Sequence, residues 1–362
     1  PVVHVLALST FLGWELFTDL PWQANLLTAV SVLIITCPCA LALAVPVVQV
    51  VASGRLLRRG ILLKSATAQE RLAMVDTVVF DKTGTLTLGR PDLLPGDWTA
   101  DDLRAAAAIA AASKHPLARA LVRAMPGVAV AEGVREISGC GLEAADARLG
   151  NRRWLGLPDI LDDDGGPELL LQRPGLPAAR FAFADRPRAD AAQVVAALAK
   201  RGCRVELLSG DRPVAAEAVA RAVGIGDWRG GCSPADKCAR LAELGAAGRR
   251  VLMVGDGLND APALAAALVS MSPSSAVDLT QTVADIVFQG GELAPVAEAM
   301  AVSAKAAVLV RQNFAIALAY NLITIPLAVM GHVTPLIAAI AMSSSSVIVI
   351  VNALRLSRGR LW

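Results

Sequence analysis

The sequence predicts an α/β domain on a parallel sheet, with an inserted α+β domain, standing between two pairs of transmembrane α-helices. Three observations predict it. Apolar, nearly charge-free segments lie toward both ends, close to the length that crosses a hydrocarbon core. Strand-like apolar runs alternate with helical patterns through the charged middle, the order that builds a parallel sheet. Between residues 91 and 180 that alternation stops and Pro and Gly become frequent, as expected of an inserted domain of ordinary size. The expected organisation is a helical hairpin over 1–64, the first part of the α/β domain over 65–90, the insertion over 91–180, the second part over 181–300, and a second hairpin with the C-terminus over 301–362.

Composition supports this division. The 362 residues are 55% hydrophobic but only 4% aromatic, and the mean hydropathy of +0.53 is high for a soluble protein. A net charge of +2 is too small to point to nucleic acid. The cysteines at 37, 39, 140, 203, 232 and 238 form no Cys-x-x-Cys pair and no disulfide framework, so they read as reduced thiols. Residue 1 is Pro and no signal peptide is visible, so the chain reads as the C-terminal part of a longer protein.

The membrane segments are expected over 2–17, 26–48, 308–330 and 336–353. Short polar links, Thr18-Asp19-Leu20-Pro21 and Gly331-His332-Val333-Thr334-Pro335, join them in pairs. Arg55, Arg58, Arg59 and Lys64 follow the second segment; Lys305 and Arg311 precede the third or mark its edge; Arg355, Arg358 and Arg360 follow the fourth. The links carry no Lys or Arg, so the middle of the chain and its C-terminus are expected in the cytoplasm. In the middle, strands are expected over 77–80, 204–208, 251–254 and 268–271, and helices over 189–200, 214–223 and 234–244.

Chemistry enters at Asp81-Lys82-Thr83-Gly84-Thr85-Leu86-Thr87, directly after the first strand. A carboxylate at the carboxyl edge of such a sheet lies where ligands bind, and it can attack phosphorus to form an aspartyl phosphate. Other strand ends supply partners. Ser209-Gly210-Asp211 offers a hydroxyl and backbone donors for phosphoryl oxygens, Lys237 offers a cation, and Asp256, in Gly255-Asp256-Gly257-Leu258-Asn259-Asp260, suits Mg2+. Phosphoryl transfer is catalysed mainly by positioning and by cations, and this set provides both.

These two motifs resemble the P-type ATPases, whose phosphorylation domain is haloacid-dehalogenase-like and carries an inserted nucleotide-binding domain. The resemblance implies that Asp81 is phosphorylated, that Thr83 gives a backbone oxygen to Mg2+, that Asp256 is the other protein ligand, and that Asn259 and Asp260 support them. Ser113-Lys114-His115-Pro116 is similar to the Ser-x-His-Pro motif of the heavy-metal branch, which implies an ATP site at His115 and Pro116. Gly139-Cys140-Gly141 and Gly150-Asn151 are similar to its glycine elements, where absent side chains would leave room for the nucleotide. Relatives often carry Glu five positions before the His; this chain has Ala110, so adenine selectivity does not follow.

Cys37-Pro38-Cys39 lies inside an apolar segment. Pro38 interrupts the helical hydrogen bonds, and unwinding there lets both sulfurs reach one site. Met342, Ser345 and Ser346 share a helix face at i, i+3 and i+4, and Tyr320 and Asn321 lie mid-segment. From Asn313 to Asn352 there is no Asp, Glu, Lys or Arg. A sulfur-rich site without charged partners favours Cu(I) over harder ions. Each element alone also reads as ordinary helix packing. Together they resemble the copper(I) heavy-metal ATPases, and the run 40–64 looks closest to bacterial pumps that supply copper for cytochrome oxidase maturation. The resemblance implies Cys37, Cys39, Tyr320, Asn321, Met342 and Ser346 as the transport site.

The expectation is an integral protein of the bacterial plasma membrane that exports Cu(I), or Ag(I), at the expense of ATP. It would take copper from a cytosolic donor and work with an actuator domain and earlier helices, since no Thr-Gly-Glu actuator motif is found here. The alternatives are a membrane-anchored phosphatase of the same superfamily, a pump for Zn(II) or Cd(II), and a non-catalytic copper carrier. Phosphatases of that kind commonly place a second Asp two residues after the nucleophile; here that position is Thr83.

Overall fold

The computed structural model describes residues 2–65, 67–158, 166–256, 260–274 and 283–358. The chain begins with helices α1 (Val2–Phe17), α2 (Trp22–Ile35), α3 (Cys39–Leu43) and α4 (Pro46–Arg58), followed by strand β1 (Ile61–Leu63) and helix α5 (Ala68–Leu72). It continues through β2 (Thr77–Asp81), β3 (Asp92–Leu93), α6 (Ala100–Ala110), α7 (Pro116–Ala124), β4 (Arg135–Ile137), β5 (Gly141–Glu143), β6 (Arg148–Gly150), β7 (Glu168–Gln172) and β8 (Ala179–Ala184). Then come α8 (Ala191–Lys200), β9 (Arg204–Leu208), α9 (Pro213–Val223), β10 (Asp227–Arg229), α10 (Pro234–Ala246), β11 (Val251–Val254), α11 (Ala261–Ala266), β12 (Val269–Pro273) and β13 (Ile286–Phe288). Two long helices, α12 (Ala294–Val329) and α13 (Pro335–Leu354), complete it.

These elements form two compact units, Pro1–Met74 with Ala297–Trp362, and Val75–Val296. The helical unit runs past the expected limit at 64, to Met74.

In the helical unit, candidate membrane spans cover Trp22–Arg58, Ala294–Val329 and Pro335–Ser357, and α1 is a shorter apolar helix. The segment over 26–48 is broken at Pro38, as expected, and again before Pro46, giving α2, α3 and α4. Pro38 ends the first piece and Pro46 begins the last, and each removes a backbone donor. The segment expected over 308–330 is the end of a 36-residue helix. Arg55, counted above among the orienting charges, is buried: it pairs with Glu298 at 3.0 Å and donates to the Leu356 carbonyl at 2.9 Å. A charge inside protein needs such partners. The α1–α2 hairpin is fastened by Asn25 Nδ2, which donates to Glu15 Oε2 at 2.8 Å.

In the other unit the strands lie in the order β13-β12-β11-β2-β9-β10, all parallel. Strands β2 and β11 are buried along their whole length, which explains their unbroken apolar runs. The insertion is a six-stranded antiparallel sheet, order β3-β8-β7-β6-β5-β4, packed against α6 and α7 around Leu121, Leu149, Phe181 and Phe183. Its last strand reaches Ala184, past the expected limit at 180. Sequence reading missed β10 and β13, each only three residues long.

Candidate functional site

Asp81 is the last residue of β2, paired with Leu208 of β9. Since β2 is central, its end opens toward the loops after β9 and β11. Lys237, in the first turns of α10, reaches across to it: Nζ donates to Asp81 Oδ1 at 2.5 Å and to Asp260 Oδ1 at 2.6 Å. The helix is held in place by Arg240, three residues on, whose Nε and Nη2 donate to Glu206 of β9 at 2.7 and 3.0 Å. Ser233 and Asp236 cap its start reciprocally.

Asp81, Asp256 and Asp260 bring their oxygens within 4.8 Å of one another. Burial and the charge of Asp260, opposed by Lys237, push Asp81 up to about 6. Burial and the charges of Asp81 and Asp260 push Asp256 up to about 7. Burial alone would lower Lys237, but the two carboxylates it touches raise it above its ordinary value. Lys237 touches two of the three acids and Arg188 acts on Asp256; the three carboxylates are the oxygen ligands that a hard cation takes. Lys237 engages one oxygen each of Asp81 and Asp260, so Asp256 and the second Asp81 oxygen could take Mg2+. Gly84 is required here: its φ is +70°, and a Cβ on it would stand 1.4 Å from Asp256 Oδ2.

The loop after Asp81 is held from below. Thr87 Oγ1 donates to Asp185 Oδ2 at 2.5 Å and accepts from Gly84 N–H at 3.3 Å. Arg188, buried, donates to the Gly84 and Thr85 carbonyls, both at 2.6 Å. Sequence reading missed Asp185 and Arg188. Their signal was an acid and a base three residues apart where the chain returns from the insertion. Lys82 pairs with Asp211, and Thr83 Oγ1 lies 3.5 Å from Asp211 Oδ2, so two of the expected loops meet. Ser209 is less free than expected. Its N–H donates to Arg229 O at 2.9 Å, and its hydroxyl oxygen accepts from Asp211 N–H at 3.1 Å, because β10 follows closely. Gly210 is the residue of this loop whose N–H is outside those bonds. Gly257 and Asn259 lie outside the described residues.

The insertion holds a cavity of ≈ 400 Å³ lined by Ser113, His115, Gly139, Gly141 and Asn151 among others. His115 caps α7, Nδ1 accepting from Leu117 N–H at 3.3 Å. A Cβ on Gly139 would meet nothing within 4 Å, whereas Gly141 and Gly150 are closely packed. A Cβ on Gly141 would stand 2.3 Å from Leu149 O, and one on Gly150 would stand 2.5 Å from Cys140 O and 2.7 Å from the Trp154 ring. The missing side chains of Gly141 and Gly150 admit close strand and ring packing, and Gly139 and Gly141 also line the cavity. Asn151 Nδ2 donates to Gly139 O at 2.8 Å, closing the same turn. Ala110 is fully buried in the core, so that position does not face the cavity. A larger cavity of ≈ 780 Å³ has Gly84, Arg188 and Asp256 in its lining with Lys114, Pro116 and Arg119. Its cationic walls suit phosphate groups.

In the helical unit, Cys37 and Cys39 are partly buried free thiols on either side of the break at Pro38. Tyr320 packs against the cluster that holds Val32 and Ile35 of α2, just before Cys37. Tyr320 Oη and Asn321 Oδ1 are buried without a hydrogen-bond partner among the described residues. The Ser345 and Ser346 hydroxyls both donate to the Met342 carbonyl, at 2.8 and 3.4 Å. Two thiols flanking one helix break are the ligand type that a soft cation takes.

Comparison with known proteins agrees with this geometry. The haloacid dehalogenase-like hydrolase family profile matches residues 75–267. The chain is 48% identical over 99% of its length to the nitrogen fixation protein FixI of Rhizobium leguminosarum bv. viciae, covering 48% of that protein. It is 37% identical over 99% of its length to a probable copper-exporting P-type ATPase V of Mycobacterium tuberculosis, covering 50% of it. The chain thus spans about half the length of the curated relatives it matches. A crystal structure of a zinc-transporting PIB-type ATPase in its E2·Pi state superposes with a TM-score of 0.81 at 31% identity, covering 99% of this chain and 62% of that one. The protein is an integral membrane protein, with three helices long and apolar enough to span among the described residues. The chain belongs to the haloacid dehalogenase-like hydrolase family, and along its whole length it resembles the heavy-metal P-type ATPases.

Proposed function

We propose that the full-length protein is a Cu(I)-exporting ATPase of the bacterial plasma membrane, with Ag(I) as an alternative cargo and the α/β unit in the cytoplasm. The observation that supports this most is the pair Cys37 and Cys39 at the helix break, with Tyr320 packed beside the end of α2 and Tyr320 Oη and Asn321 Oδ1 unpartnered among the described residues, in helices free of Asp, Glu, Lys and Arg from Asn313 to Asn352. Thiolates compensate one positive charge without a further carboxylate.

Asp81 attacks the γ-phosphorus of ATP. A bond forms between its carboxylate oxygen and phosphorus, and the bond to ADP breaks. Lys237 keeps one Asp81 oxygen neutralised and aims the other outward. Asp256, Asp81 and the Thr83 backbone oxygen would hold Mg2+, which neutralises phosphoryl charge. Arg188 keeps the Gly84–Thr85 backbone in place under the phosphoryl group. Gly210 N–H and the Ser209 hydroxyl proton remain as donors to phosphoryl oxygens. The cavity at His115 takes the nucleoside, and Lys114 and Arg119 face its phosphates. Water later cleaves the aspartyl phosphate. Conversion between the two states carries the ion from Cys37 and Cys39, past Met342 and Ser346, to the far side. A cytosolic copper donor, an actuator domain and earlier helices complete the cycle.

The similarity to the zinc transporter favours a second reading, a divalent-metal pump. ATPase activity of the full-length protein, measured with Cu(I) and with Zn(II), separates the two. Stimulation by Cu(I), lost in Cys37→Ser/Cys39→Ser, is expected; stimulation by Zn(II) alone refutes the cargo. Asp81→Asn is expected to form no phosphoenzyme, and a labelled Asp81→Asn protein refutes the nucleophile.

A further inference from the structure

Two prolines isolate the segment that carries the thiols. Pro38 and Pro46 lack backbone N–H groups, so the five-residue α3 hangs between two breaks. Backbone freed at membrane depth must be satisfied by neighbouring protein. At the second break it is: the Ala44 carbonyl accepts from Asn313 Nδ2 at 3.1 Å. Asn313 is 0% exposed, and its Oδ1 accepts from Asn352 Nδ2 at 2.9 Å. Asn352 Oδ1 in turn accepts from Arg355 Nη1 at 2.8 Å, and that same nitrogen lies 3.3 Å from Gln312 Oε1. A continuous chain of polar contacts thus runs from a guanidinium at the end of α13, through two buried amides, to the break after α3.

The spacing of these residues gives the chain a purpose. On α12, Asn313, Ala317, Tyr320 and Asn321 lie at i, i+4, i+7 and i+8, on one face. Asn313 meets Ala44 and Ala317 packs with Ala40, so the next positions along this face are level with the thiols. On α13, Met342, Ser345, Ser346, Val349 and Asn352 share a face in the same way, and Val349 joins the Ala40–Ala317 contact. The Asn313–Asn352 pair therefore fixes the axial register of both helices against α3. A slip of one turn would carry Tyr320 about 5.4 Å from the sulfurs.

We infer that Asn313 and Asn352, anchored by Arg355, are positioning residues that hold α3 in register, so that Cys37 and Cys39 meet Tyr320, Asn321 and Met342. Neither is a ligand: Asn313 offers both ends of its amide to protein, and Asn352 does the same. This rests on the sulfur-site reading above.

The test uses the full-length protein carrying Asn313→Ala, Asn352→Ala, both together, or Asn352→Asp. Cu(I)-stimulated turnover yields the half-saturating Cu(I) and the maximal rate. Phosphorylation of Asp81 by inorganic phosphate without metal reports whether the aqueous domain and its coupling survive. Each single variant should raise half-saturating Cu(I) by about tenfold, and the double by no more than either, because the amides act as one unit. Asn352→Asp keeps the acceptor for Arg355 but loses the donor to Asn313, and should match Asn352→Ala. Phosphate labelling should be unchanged in all. Half-saturation within about twofold of the parent, or additive single effects, overturns the inference. So does loss of phosphate labelling in parallel with Cu(I) response, which marks a general structural defect. Cu(I)-stimulated turnover that survives Cys37→Ser/Cys39→Ser instead removes the sulfur site itself, and the inference with it.

Discussion

Replacing Lys237 by Met tests the electrostatics of the phosphorylation site most directly. The side chain is buried, and its Nζ stands 2.5 Å from Asp81 Oδ1 and 2.6 Å from Asp260 Oδ1. Each contact is worth about 4 kcal/mol or more in gross attraction at an effective dielectric of about 20. Desolvation of the ammonium offsets much of this. Removing one partner of such a buried set leaves the remaining charges uncompensated, at a cost of roughly 3–5 kcal/mol. About 3 kcal/mol of that, felt at the attacking carboxylate, slows phosphoenzyme formation about 10²-fold. The direction with pH follows from Asp81. Burial and Asp260 already raise it to about 6, and Lys237 opposes them. Without Lys237 it rises further, so less of it is ionised at neutral pH and the deficit shrinks as pH rises. The assay is acid-stable label on the protein from γ-labelled ATP at subsecond times, over roughly pH 6 to 9. A Lys237→Met protein labelled within about threefold of the parent at neutral pH, or a deficit independent of pH, refutes the reasoning.

Gly84→Ala places a methyl 1.4 Å from Asp256 Oδ2 at a φ of +70°; the Mg2+ needed for half-maximal phosphoenzyme should rise by at least about tenfold. Gly150→Ala drives a methyl to 2.5 Å from Cys140 O and 2.7 Å from Trp154. An overpacking cost of roughly 1–3 kcal/mol should raise the KM for ATP about tenfold, with phosphorylation by inorganic phosphate unchanged. Burial alone would raise Glu168, but hydrogen bonds and charge from Arg152 and Arg180 hold it below its ordinary value of 4.5. Its stabilising contribution is therefore present above that value and lost as pH falls through the folded one. The melting difference between the parent and Glu168→Gln should be largest near neutrality and vanish in acid.

Much of this protein was legible in its residue order. Strand β2 is a run of buried apolar residues ending in an acid, and such a run has one sensible place in a parallel sheet, so Asp81 could be placed before any coordinates. The apolar segments, the insertion and the broken helix at Pro38 were legible for the same reason: periodicity, length and proline act locally. Contacts between distant residues were not. Nothing local says that Arg188 reaches back to Gly84 and Thr85, that Glu206 anchors the helix bearing Lys237, or that Arg55 is buried against Glu298. The Ser209 N–H read as a free donor because β10, three residues long and without a clear pattern, gave no warning that its carbonyl would take it. Gly141 and Gly150 read as room for a ligand until strand pairing placed each against a neighbour's backbone. Residue order thus determined which chemistry the chain carries, because nucleophile, cation and sulfur are properties of side chains. Tertiary structure alone decided which of them stand within hydrogen-bonding distance, because that depends on how separate elements pack.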